Sequence, residues 1–105
     1  MTDNLKRNVS HLLKFVKLKK RESKKALKSA SASFINALSE IALNARDGVV
    51  KVAKRVQNSK LVKALARKDI PLKQKYRLLC AAAAPAIIHS LVSCVIGILK
   101  DLQNG

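Results

Sequence analysis

Apolar residues recur along this chain at helical spacing, and nowhere in the sustained alternation a strand requires. Over residues 3–28, Leu5, Val9, Leu12, Leu13 and Val16 fall on one side of a helix, with Lys6, Arg7, Lys14 and Lys17 over much of the rest. Asp3 can cap its start, where a negative charge also suits the helix dipole. From Leu18 onward the pattern gives way to a basic run containing Lys19, Lys20, Arg21, Lys24 and Lys25. Such a run is expected to be helical only once its charge is neutralised. The whole of 1–28 therefore reads as a basic amphipathic helix or a loosely attached arm.

Ser29, Ala30, Ser31, Ala32 and Ser33 form a break rich in N-cap residues. A helix is predicted over 34–46, where Phe34, Leu38, Ile41 and Ala45 make one stripe with Ile35 and Ala42 beside it. It is the least charged piece of the cationic body and the best candidate for a packed centre. Asp47 and Gly48 end it. The i, i+3, i+4, i+7 spacing of Val49, Val52, Ala53 and Val56 predicts another helix over 49–56. Gln57, Asn58 and Ser59 interrupt it, and Leu61, Val62 and Leu65 resume the apolar face to about 68. Pro71 suits a first helical position, and Leu72, Tyr76 and Leu79 follow at i, i+4, i+7.

Residues 80–99 differ in kind: CAAAAPAIIHSLVSCVIGIL is 20 residues without a formal charge. As one helix it would span about 30 Å, the thickness of a bilayer's hydrocarbon core. Pro85, His89, Ser90, Ser93 and Gly97 dilute its hydrophobicity. Ala86, Ser90 and Cys94, and likewise Ser93 and Gly97, repeat small residues at i+4 and would let helices approach closely in a bilayer. Ile87, Ile88, Leu91, Val92, Val95, Ile96, Ile98 and Leu99 are its candidate membrane-inserting residues. The alternative left open is a core helix onto which the amphipathic segments fold.

Charge sharpens this division. The 105 residues carry 22 Lys and Arg against 6 Asp and Glu, a net of +16. Residues 1–79 hold all of that excess, because 80–105 contribute only Lys100 and Asp101. Three regions follow: the basic segment 1–28, a basic helical body at 29–79, and an apolar tail at 80–105. Like charge at this density opposes compaction and favours an anionic partner, either nucleic acid or an anionic membrane. Phosphate contacts are assigned first to Lys6, Arg7, Lys14, Lys17, Lys19, Lys20, Arg21, Lys24 and Lys25. Lys63, Arg67, Lys68, Lys73, Lys75 and Arg77 come second. No zinc-finger spacing or RNP motif is present and aromatics are few, so binding to duplex DNA is expected to be sequence-independent.

The remaining chemistry-bearing residues point away from catalysis. Cys80 and Cys94 match no zinc or redox spacing and are expected to be buried thiols. His11 and His89 have no acidic or cysteine partner at ligand spacing, and the six acids are scattered. No catalytic residue, metal site, cofactor or small-molecule substrate is assigned. No apolar stretch follows the first residues, so no secretory signal peptide is expected.

The order of blocks then carries a resemblance. Ala-Leu-Ser-Glu-Ile-Ala-Leu-Asn at 37–44, Gly-Val at 48–49, Lys-Leu-Val-Lys-Ala-Leu at 60–65, Pro-Leu-Lys-Gln-Lys-Tyr-Arg-Leu-Leu at 71–79 and the apolar tail follow in turn. Together they resemble a family of small basic proteins of adintoviruses and Polinton-type elements, over roughly residues 10–100. None of the blocks is a chemical motif. The chain departs from the family in a less basic 49–59 and in Ala81, Ala82, Ala83 and Ala84, where glycine-rich sequence stands. The resemblance implies a virion-internal DNA-condensing role, similar to the small adenovirus core protein, in the virion interior or host nucleus, with capsid or other viral proteins as partners.

The expected fold is all-α, a small domain of four to six short amphipathic helices with an apolar C-terminal helix. The expected function is a non-enzymatic basic protein that binds DNA phosphates and carries a membrane-active tail. Two alternatives stand beside it: a membrane-active or tail-anchored helical protein that acts on anionic bilayers without nucleic acid, and a helical adaptor for an acidic protein surface.

Overall fold

The structure, a computed structural model, describes residues 3–104. It is all-helical, with nine helices and no strand among the described residues. They are α1 (Asp3–Arg7), α2 (Val9–Phe15), α3 (Lys20–Lys28), α4 (Ala32–Arg46), α5 (Lys54–Gln57), α6 (Lys60–Ala66), α7 (Leu72–Leu79), α8 (Ala84–Ser93) and α9 (Ile96–Asn104). Nine replace the four to six expected because several predicted helices are split.

α4 is the spine. Ser31 caps it, its hydroxyl accepting from the Phe34 amide at 3.1 Å. The predicted stripe is buried in full, and Ala37 widens it. That breadth lets α1, α5, α6, α7 and α8 all pack on one helix. The other end is a Schellman motif. Gly48 takes φ +78°, the Gly48 amide donates to the Ala45 carbonyl, and the Val49 amide donates to the Asn44 carbonyl at 2.9 Å.

That terminus explains the failure of the helix expected over 49–56. The chain leaves Gly48 non-helical, and the β-branched pair Val49–Val50 has low helix propensity. Val50 turns into the core while Val49 is 69% exposed. Only the single turn α5 forms, and Gln57 pins it by donating to the Ala45 carbonyl at 2.9 Å. Ser59 then caps α6, accepting from the Val62 amide. Pro71 stands one place earlier than expected, as the N-cap of α7.

Of the two readings of 1–28, helix or arm, the described residues 3–28 take the helical one and pack into the core. Their basic run is helical in α3, and Leu5, Leu12, Phe15 and Leu27 are all within 1% of full burial. A polar clasp fixes the entry to α4: the Asn8 side-chain amide donates to Ser33 Oγ at 2.8 Å, and Ser33 Oγ donates to Asn4 Oδ1 at 2.9 Å. Asn8 is itself buried. The radius of gyration, 12.3 Å, matches the ~13 Å of a compact domain of this length and leaves no room for a detached segment.

The apolar tail is two helices, not one. Pro85 sits in the first turn of α8, where its missing N–H does no harm, and the chain breaks at Cys94–Val95 before α9 begins. Ile88, Leu91, Val92, Val95 and Leu99 are buried in the common core, Ile87 and Ile96 are half-buried, and Ile98 is exposed. α8 packs on α2, α3, α4, α5 and α7, and α9 packs on α1 and α2. Five of the eight side chains that would face lipid are therefore buried in protein. Cys94, expected to be buried, is exposed, and Cys80 is half-buried.

Removing a buried side chain from this shared core leaves a cavity, so Leu38→Ala and Leu91→Ala should each destabilise the fold by about 2–5 kcal/mol in urea unfolding. Loss at Leu91 no larger than at an exposed position such as Ile98 would contradict a structural role for the tail.

Candidate nucleic-acid interface

Of the 22 Lys and Arg residues, 21 are exposed and one is buried. Self-repulsion accounts for the division, since a charge is cheapest where water and counterions screen it. α3 shows the local logic. It turns only Ser23 and Leu27 inward, and Lys20, Arg21, Lys24, Lys25 and Lys28 remain outside. Glu22 lies in its first turn and Lys25 and Lys28 in its last, so both ends suit the dipole. Lys17 and Lys19 lie exposed in the connection that precedes it.

α7 lies against α3, and the Tyr76 hydroxyl joins them by donating to the Lys28 carbonyl at 2.6 Å. Lys73 and Arg77 are thereby carried on the helix next to α3, both exposed. Lys6, Arg7 and Lys14 are exposed on α1 and α2. Lys63, Arg67 and Lys68 form a separate group on and just after α6. There Arg67 is already engaged, its Nε donating to Asp69 Oδ1 at 2.9 Å with a second contact from Nη2. That pairing raises the Arg67 pKa and lowers that of Asp69. Arg46–Asp47 is the other ion pair among the described residues.

Lys75 is the correction to the predicted set. It is 7% exposed, and its ammonium donates to Ser39 Oγ at 3.1 Å and to the Leu65 carbonyl at 2.9 Å. A backbone phosphate cannot reach it as it reaches the other cations. Desolvation lowers its pKa, and the negative charge of Asp69 partly opposes this. A signal existed in the sequence, since Lys75 stands at i+3 from Leu72 and i−4 from Leu79, on the face those leucines define. The inward side of α7 runs through Lys75 and Leu79, and Leu72 is left at the surface.

Two cavities flank these elements. One of about 660 Å³ lies between α4 and the α6–α7 corner, with Ser39, Leu65 and Lys75 in its wall. Another, about 470 Å³, is floored by Phe15 and Phe34, whose ring centroids are 6.4 Å apart, with His11 and Lys14 at its side. His89 is exposed on α8, its Nε2 3.0 Å from the Val16 carbonyl. Among the described residues no three His, Cys, Asp or Glu side chains converge. No helix among them is long and apolar enough to cross a membrane alone; α7 and α8 reach that length and composition together, across a bend of 102°. No family model, no curated protein and no solved structure matches the chain.

The buried Lys75 imposes a pH dependence of definite sign. Its folded pKa lies below the ordinary ~10.4, so between those two values the unfolded chain binds the extra proton. The penalty for burying the charge is full at lower pH and is relieved as pH rises through the folded value toward the unfolded one. As pH is raised from neutrality, urea unfolding should show the wild type gaining stability relative to Lys75→Met. Parallel stability curves would show that Lys75 keeps an unperturbed charge.

Proposed function

We propose that this protein is a non-enzymatic, basic viral core-type protein that binds duplex DNA through its phosphates without reading sequence. The observation that carries the proposal is the near-complete exposure of its cations around a compact helical core, with only two ion pairs among the described residues. A surface of this kind displaces condensed counterions from DNA, and that release drives binding. The exposed set on α1, α2, α3 and α7 supplies the main contacts. Arg67 contributes less, because Asp69 already holds it, and Lys75 contributes nothing. The resemblance to small viral core proteins supports a place in the virion interior or host nucleus, with capsid proteins as further partners.

The membrane-active component is proposed only in a narrower form. The uncharged sequence of residues 80–99 motivates it, although no described helix is long and apolar enough to cross a membrane alone. Insertion would require α8 and α9 to leave the core, exposing Ile88, Leu91, Val92, Val95 and Leu99 together. Bilayer action would therefore follow unfolding or release, not precede it.

The test is duplex affinity measured across salt. The logarithm of the binding constant should fall linearly with log salt, by about 0.9 for each phosphate engaged. Replacing Lys20, Lys24 and Lys25 together by Gln should flatten that slope by up to about 3 units, while Lys75→Met should leave it unchanged. A flat salt response of the wild type would overturn the proposal.

A further inference from the structure

The groove of about 660 Å³ between α4 and the α6–α7 corner has a chemistry unlike the rest of the surface. An ammonium is built into its wall. Lys75 Nζ offers three donors, and two are taken, by the Ser39 hydroxyl and the Leu65 carbonyl. Both acceptors are neutral, and the Ser39 hydroxyl is itself committed as a donor to the Ile35 carbonyl at 2.9 Å. No carboxylate among the described residues is in ion-pair contact with Lys75, and Asp69, whose charge acts on it, is held by Arg67. A cation shielded from water and without a counter-charge is costly to maintain, and a chain with 21 exposed cations had no electrostatic need to bury one more.

The groove also carries an exposed apolar wall, beside a polar lining that includes Asn4, Asn36, Asn44 and Lys68. Val49, 69% exposed, and Leu72, 36% exposed, line it, and they are two of the three exposed large hydrophobic residues among those described. The Schellman turn at Gly48 holds Val49 out over Leu43, which lines the same space. An anion-binding group and an exposed apolar wall thus face one cavity, whose volume lies in the range of small-molecule sites.

We propose that this groove binds a small amphipathic carboxylate, with its carboxylate accepting the third N–H of Lys75 and its hydrocarbon part against Val49 and Leu72. A carboxylate with a hydrocarbon part fits better than inorganic phosphate, which would leave the apolar wall unused. Binding would supply the counter-charge that the fold leaves out. This inference does not rest on DNA binding; of the exposed cations assigned to phosphate, only Lys68 also lines the groove.

The experiment titrates the full-length protein with octanoate below its micellar range, at salt that screens exposed charges, by calorimetry and amide NMR. Octanol and inorganic phosphate serve as comparison probes. Octanoate should bind saturably, with shifts centred on Ser39, Val49 and Leu65, and more tightly than either comparison probe. Lys75→Met should weaken it at least about tenfold, the effect of losing one charged hydrogen bond. Val49→Asp, at an exposed turn position, should weaken it too, and Lys24→Gln with Lys25→Gln should not. Far-UV circular dichroism and urea unfolding of Lys75→Met serve as the folding control. Absence of saturable shifts, equal binding of octanol or phosphate, or full octanoate affinity in either Lys75→Met or Val49→Asp would overturn the proposal.

Discussion

The packing of α8 onto the α4 spine is the contact on which the rest depends. A chain with a net charge of +16 must bury enough apolar surface to outweigh the repulsion among its own side chains. The cationic body has one broad apolar helix, α4, and only narrow stripes elsewhere. The uncharged tail supplies what is missing: Ile88, Leu91 and Val92 on α8, then Val95 and Leu99 leading into and along α9, all buried. α1, α2 and α3 then close over the pair with Leu5, Leu12, Phe15 and Leu27. Cationic body and apolar tail are the outside and the inside of one fold.

The proposed function rests on that arrangement. With the apolar residues turned inward from both ends of the chain, the cations are displayed on short helices. Binding of phosphate, as proposed, would then need little ordering of the protein, unlike binding by a disordered basic tail. The α3–α7 contact, closed by Tyr76 on the Lys28 carbonyl, joins the basic run to the later cations Lys73 and Arg77. Lys75, between Lys73 and Arg77 in sequence, turns inward instead and serves the α4–α6–α7 corner.

Much of this was legible in the sequence, for identifiable reasons. The α4 stripe was readable because a 15-residue helix gives the 3.6 period room to repeat, and its Ser31 and Gly48 boundaries are local chemistry. The segment 49–56 misled because four apolar residues fit a helical template by spacing alone, while the left-handed exit at Gly48 and two adjacent valines decided otherwise. The tail misled in a different way. Twenty uncharged residues satisfy a bilayer and a protein core equally, and only the tertiary contacts of Pro85-started α8 and the break at Cys94 distinguish them. Among the candidate phosphate contacts, residue type was a sufficient guide to exposure for every cation except Lys75, whose place on the inward face of α7 outweighed its charge.

Native-state amide hydrogen exchange across residues 84–99, with and without duplex DNA, tests most directly whether the greasy end is the interior of a cationic fold. Amides of Leu91 and Val92 should be protected as strongly as those of Leu38 and Ile41, and should stay so when DNA is bound. Exchange there at the rate of a free peptide, or loss of protection on DNA binding while α4 stays protected, would mean that the tail is a separate element and that the core described for this protein does not exist.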